Sequence, residues 1–171
     1  MIKLETIKSK YLTLKIINKI CILKDSHWKF GMLSQKKWFK RNTKNSDMHN
    51  LLFYKEILIG YTSLKKRYFY ENKIKNNYLL FDTLVINQKY RNFKMANILM
   101  DYNNFIIKKF NFCSFLLCDK ELIKFYKKYQ WKNVKGKIKI FPTNKKFRYK
   151  KILTYNVQPN RFDKKSLLIN I

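Results

Sequence analysis

Residues 79–111 read LLFDTLVIN (79–87), QKY (88–90), RNFKMA (91–96) and NILMDYNNFIIKKFN (97–111). The first segment is short, mostly apolar and rich in β-formers, the composition of a strand buried on both faces. From Met95 onward apolar residues recur at Met95, Ile98, Leu99, Tyr102, Phe105 and Ile106, the three-and-four spacing of one helix face. The pattern predicts strand, turn and helix, with Arg91 to Ala96 at the helix N-terminus. Unpaired backbone N–H groups and the positive end of the helix dipole gather at such a turn, which suits it to phosphate.

Downstream, Phe112 to Cys118 (FCSFLLC) is a second continuous apolar run. Strand, helix and strand at this spacing predict a right-handed crossover, so Leu80 to Ile86 and Phe112 to Cys118 should be adjacent and parallel in one sheet. Lys120 to Tyr129 reads as the next helix with Asp119 as its N-cap, and Lys137 to Phe141 and Lys151 to Val157 as closing antiparallel strands. Upstream, Tyr11 to Ile17 (YLTLKII) alternates like a first strand. Asn18 to Asn45 carries two helical patterns separated near Asp25 to Gly31, the second with Ser34 as N-cap and Trp38 and Phe39 on its buried face. Leu51 to Tyr54 and Ile57 to Leu64 form a hairpin across a Lys55-Glu56 turn, and Glu71 to Asn77 is a polar connection. Gly60 in ILIGYTSL relieves crowding or marks a close backbone approach.

RNFKMA and the strand and helix around it resemble the GCN5-related N-acetyltransferases (GNAT). That family's loop is Gln or Arg, two residues, Gly, one residue, then Gly or Ala. Arg91 and Ala96 fit, whereas Lys94 stands at the central glycine and Asn92 where another glycine is common. CDKELIKFYKKYQWKNV (118–134) resembles the family's later helix and strand start, with Tyr126 and Trp131 at the matching positions and Gln130 where glycine is usual.

The resemblance implies a single-domain α/β fold: a mixed, mostly antiparallel sheet of six or seven strands, flanked by helices, whose two central parallel strands splay apart. It implies an acyl-CoA-dependent N-acyltransferase, acetyl-CoA being the expected co-substrate and an amine the acceptor, with no metal. The coenzyme's pyrophosphate would lie on Arg91, Asn92, Lys94, Met95, Ala96 and Asn97, and the backbone of Leu84, Val85 and Ile86 would polarise the thioester. Tyr126 corresponds to the general acid that protonates the departing thiolate. The acidic strand residue of some relatives has no counterpart here, Ser114 standing in the matching stretch. Asp82 is read either as the substitute base or as a structural acceptor of hydrogen bonds from a neighbouring loop, because a carboxylate in the run LLFDTLVI must find a partner or water and burial pushes its pKa up. His49 is a second candidate base and water a third. Cys118, at a strand end before a helix, is weighed as a nucleophile against an inert buried thiol. Lys94 and Asn92 make a degenerate, non-catalytic relative the alternative reading.

At 171 residues with 46% hydrophobic and 17% aromatic content, the chain suffices for one core, read as a domain over residues 1–158 and a loose C-terminal end over 159–171, placed to cap the sheet. Its 39 basic against 10 acidic residues give a formal charge of +29, which attracts polyanions. KKWFKR (36–41), KKR (65–67), FYKK (125–128) and KKFRYKK (145–151) interleave cations with aromatics. That mixture suits RNA, and the second class of function is an RNA- or ribosome-binding module, or an acetyltransferase acting on tRNA. No apolar run reaches the roughly 20 residues of a membrane span, and the N-terminus lacks a secretory core. A cytoplasmic protein, monomeric or homodimeric and without a membrane partner, is expected. Three cysteines at irregular spacing fit neither a disulfide framework nor a zinc site.

Overall fold

A computed structural model of the chain describes residues 1–142, 150–158, 160–163 and 165–171. Its elements are β1 (Ile2–Lys8), α1 (Leu14–Asp25), α2 (Met32–Asn42), β2 (Met48–Tyr54), β3 (Ile57–Glu71), β4 (Ile74–Ile86), α3 (Met95–Lys109), β5 (Ser114–Cys118), α4 (Ile123–Lys127), β6 (Lys132–Asn133), β7 (Lys137–Phe141), β8 (Lys151–Tyr155) and β9 (Ser166–Asn170). The described strands form one nine-stranded sheet, ordered β1-β2-β3-β4-β5-β8-β6, with β9 on β3 and β7 on β9. It is mixed and mostly antiparallel, and β4 and β5 are parallel as expected. Their ladder runs from Leu79↔Ser114 to Phe81↔Leu116, and β4 continues beyond it to Ile86.

The chain divides into two compact units, Met1–Lys65 with Asp82–Asn103 and Lys66–Phe81 with Asn104–Ile171. In the first, strand residues alternate between two apolar clusters, as the period of two requires. Leu51, Phe53, Tyr61 and Val85 pack with Ile20, Cys21 and Leu23 of α1 and Phe39 of α2. Leu52, Ile59 and Ile86 pack with Leu99 of α3. Lys55 and Glu56 both take positive φ (46° and 65°), the twist a two-residue hairpin turn needs, and the register shifts between Leu52 and Phe53. The second unit has an aromatic core, in which Phe69, Tyr78, Phe115 and Phe162 meet largely edge to face and Leu167 and Ile169 of β9 fill the remainder.

Several expectations are corrected. Tyr11 to Ile17 is not a strand: the Thr13 side chain accepts the Ile16 N–H and caps α1, whose buried Ile20, Cys21, Leu23 and Lys24 continue a helical period. The first strand is Ile2–Lys8, antiparallel to β2. Helix α2 begins at Met32, before Ser34, and its N-cap is Gly31 at φ 82°. The connection over 71–77 shrinks to Asn72-Lys73, both at positive φ, because β3 and β4 extend toward each other. Asp119 caps nothing; its carboxylate binds Lys150 Nζ, 2.6 Å away. β7 pairs with β9 in parallel rather than closing an antiparallel sheet. The tail ends in an ordered strand, since Leu167 and Ile169 alternate into the core.

Candidate active site

Strand β4 ends at Ile86, and Asn87, whose side chain accepts the Lys89 N–H, opens a 3-10 turn over Gln88–Phe93. Lys94 then takes φ 57°, ψ 20° and α3 starts at Met95. The residue found where the family signature has glycine therefore adopts the left-handed conformation for which glycine is suited. No acidic residue lies in the first turn of α3, and Arg91, Asn92, Lys94 and Asn97 are exposed, so the turn suits an anion. Arg91 has a structural part as well. Its Nε donates to the Ile86 carbonyl at 3.2 Å, and its Nη2 lies 2.9 Å from His27 Nδ1. Burial and this guanidinium lower the His27 pKa, and an accepting Nδ1 leaves the ring proton on Nε2. Val85 and Ile86 are core side chains, and Leu84 and Ala96 pack beside them. Met95 joins that packing.

Asp82 has the partner its position demanded: its Oδ2 lies 2.5 Å from Lys65 Nζ. Directly after it, Thr83 takes φ 66°, a strained conformation for a β-branched residue, and so turns one backbone unit of β4 out of regular extension. Lys65 Nζ also sits 4.4 Å from the Trp38 ring centroid, and Lys24 Nζ sits 3.4 Å from it. Both lysines are buried, at 5% and 6% exposure. Burial lowers the Lys24 pKa to about 8, against the opposing pull of Asp82 and with a further push from Lys65. This cluster went unread in the sequence. Its signal is Lys24 on the apolar stripe Ile17, Ile20, Cys21, which an expected strand over 11–17 obscures. His49, the second candidate base, is 1% exposed, its ring nitrogens lie 2.8 Å from Ser9 Oγ and Tyr61 Oη, and burial pulls its pKa down to about 4, the surroundings of a structural histidine.

In the second unit Tyr126 is 7% exposed on α4, its ring edge-on to Phe81 and Phe125. Burial raises its pKa, so the hydroxyl keeps its proton at neutral pH. Gln130, at the second position where the family has glycine, takes φ 65°. It turns the chain so that Trp131 is buried, the indole N–H donating to Asn104 Oδ1 at 3.1 Å. Cys118 is buried, and burial, helped by Asp119, raises its thiol to about 11, the state of an inert thiol. Structure thus assembles Asp82, Leu84, Val85, Ile86 and the 91–97 turn in one unit, and Tyr126 in the other.

Of the cation and aromatic clusters, KKR is largely internal, since Lys65 and Arg67 are buried. KKWFKR turns Phe39 inward and exposes its lysines, and Phe125 of FYKK lies edge-on to Tyr126 and tilted against Tyr129. KKFRYKK lies mostly outside the described residues. Among the described residues there is no group of three His, Cys, Asp or Glu that could hold a metal, and no helix long and apolar enough to cross a membrane.

No protein-family model and no curated protein sequence matches the chain. Solved structures do. An acyl-CoA N-acyltransferase from Pseudomonas aeruginosa aligns with TM-score 0.66 at 12% identity, over 90% of this chain and 99% of its own. The GNAT family N-acetyltransferase YhbS from Escherichia coli, in complex with CoA, aligns with TM-score 0.66 at 12% identity over 99% and 88%. The ribosomal-protein-S18-alanine N-acetyltransferase of Escherichia coli aligns with TM-score 0.62 at 8% identity over 99% and 94%. At such identities the likeness is one of fold.

Proposed function

The chain has the GNAT N-acetyltransferase fold, and from that premise we propose that it is an N-acyltransferase moving an acyl group, acetyl first, from acyl-CoA to an amine. The observation that carries this reading is the turn at 91–97. A left-handed Lys94, an acid-free first turn and a 15-residue helix gather backbone N–H groups and positive dipole at one turn, which supports a pyrophosphate there. Bound there, the coenzyme would supply an activated thioester. Arg91, tied to Ile86 O and His27, holds the turn against the end of β4, while Asn92, Lys94 and Asn97 remain available to phosphate oxygens. Asp82 is the proposed acceptor of the amine's proton, directly or through water, and Tyr126, kept protonated by burial, the proposed donor to the thiolate. Thermal melting with acetyl-CoA tests the premise. At a hundredfold excess over the dissociation constant the ligand adds about 2.7 kcal/mol of stability, and an unmoved transition at millimolar ligand favours the non-catalytic alternative. RNA or another polyanion is a second partner class that only the net charge supports. Affinity for tRNA retained above moderate salt would establish it.

A further inference from the structure

The first unit buries two ammonium groups against one carboxylate. Lys65 is matched by Asp82, but among the described residues Lys24 Nζ has neither a hydrogen bond nor an ion pair, only the face of Trp38. A cation that is 95% buried by residue, beside a like charge, is an arrangement that folding disfavours unless something else uses it. Trp38 is 37% exposed and the Asp82 side chain 32%, so the cluster opens to solvent. The groups facing Lys24 are Asp82 on β4, Lys65 on β3, Trp38 on α2 and Cys21 on its own helix. The missing element is one negative charge.

Resting on the acyl-transfer reading above, we propose that the acceptor is an amine that also carries a carboxylate, such as a free amino acid, with the carboxylate held by Lys24 over the Trp38 face and the ammonium beside Asp82. One unmatched cation calls for a single negative charge, which favours a carboxylate over a phosphate dianion. Trp38 supplies a flat apolar surface for the acceptor's carbon skeleton, and Asp82 a carboxylate for its ammonium. In the transfer the ammonium first gives one proton to Asp82, directly or through water. The neutral nitrogen then attacks the thioester carbonyl, an N–C bond forms as the C–S bond breaks, and the thiolate takes a proton from Tyr126 and leaves as the thiol. The second proton shed by the nitrogen passes through water and restores Tyr126, for a net release of one proton.

Matched acceptors test this: serine against ethanolamine, and lysine against cadaverine, each pair differing by the carboxylate, with phosphoethanolamine as the phosphate arm. Coenzyme thiol release should favour the carboxylate member about tenfold or more in kcat/KM, the size of one charge-assisted hydrogen bond. Lys24→Met should abolish the preference, mainly through KM, and Lys24→Arg should keep it. Lys24→Met should also melt at a higher temperature than the natural protein below pH 8, since it removes a buried unmatched cation. Equal rates within each pair, a preference that survives in Lys24→Met, or a preference for phosphoethanolamine overturns the proposal. If no amine releases thiol, the acyl-transfer reading fails, and calorimetry with serine at pH 8 decides the anchor alone. Anchoring predicts proton uptake on binding that disappears in Lys24→Met; binding without uptake, or no binding, overturns it.

Discussion

Two residues show how the family likeness and the backbone meet. Lys94 and Gln130 occupy the positions where the family signature has glycine, and both take left-handed φ, 57° and 65°. With only three glycines in the chain, ten described non-glycine residues adopt positive φ, four of them the tolerant asparagine. Left-handed φ costs a residue with a Cβ about 1–2 kcal/mol, of which glycine's greater backbone freedom when unfolded offsets about 0.5–1 kcal/mol. Lys94→Gly and Gln130→Gly should therefore each raise the melting temperature by about 1–4 °C. Lys94→Gly should in addition weaken coenzyme binding in a titration, because it takes an exposed cation away from the proposed phosphate turn. A lowered melting temperature in both would show that these side chains make contacts that outweigh the strain. His49 gives a second residue-scale expectation. Its folded pKa of about 4 lies below the unfolded 6.5, so the unfolded chain binds the extra proton between those values. Stability should be full above pH 6.5 and fall by about 3 kcal/mol as the pH drops to 4. Urea titrations across this range should show that slope in the natural protein and its reduction in His49→Gln.

At the scale of elements, the parallel pair and its crossover helix were legible because their signals are long and unmixed: two continuous apolar runs and six apolar residues at helical spacing. The turn at 91–96 was legible for the same reason. Residues 11–17 were ambiguous because LTLKII (12–17) satisfies both periods. Only the Thr13 cap and the stripe continuing to Lys24 decide for helix. The C-terminal strand escaped because its five residues pair with β3 and β7, partners far away in sequence. Gly60 shows how tightly β2, β3 and β4 fit: a Cβ there would stand 2.8 Å from Ile86 Cδ1 and 3.1 Å from Leu52 Cδ2. Gly60→Ala should destabilise the protein by about 1–3 kcal/mol, as overpacking does. A neutral result by chemical denaturation would mean that Ile86 swings aside without loss.

At the scale of the molecule, the fold was readable and the acceptor was not. The proposed coenzyme turn is local, a strand end and a helix start, so it leaves a mark in consecutive residues. The Lys24, Trp38, Lys65 and Asp82 cluster draws on four elements, and no spacing in the chain announces it. The charge of +29 likewise says little by itself, because burial removes Lys24, Lys65 and Arg67 from the surface while other lysines stay solvated. Catalysis is the claim on which the rest depends, and thiol release answers it most directly. With saturating acetyl-CoA and a panel of amines that includes amino acids, the natural protein should release coenzyme thiol only when an acceptor is present. Tyr126→Phe should keep the melting temperature and coenzyme binding while losing a hundredfold or more in kcat, about what general acid catalysis contributes. An absence of acceptor-dependent thiol release, from protein that melts cooperatively and binds the coenzyme, would contradict the account.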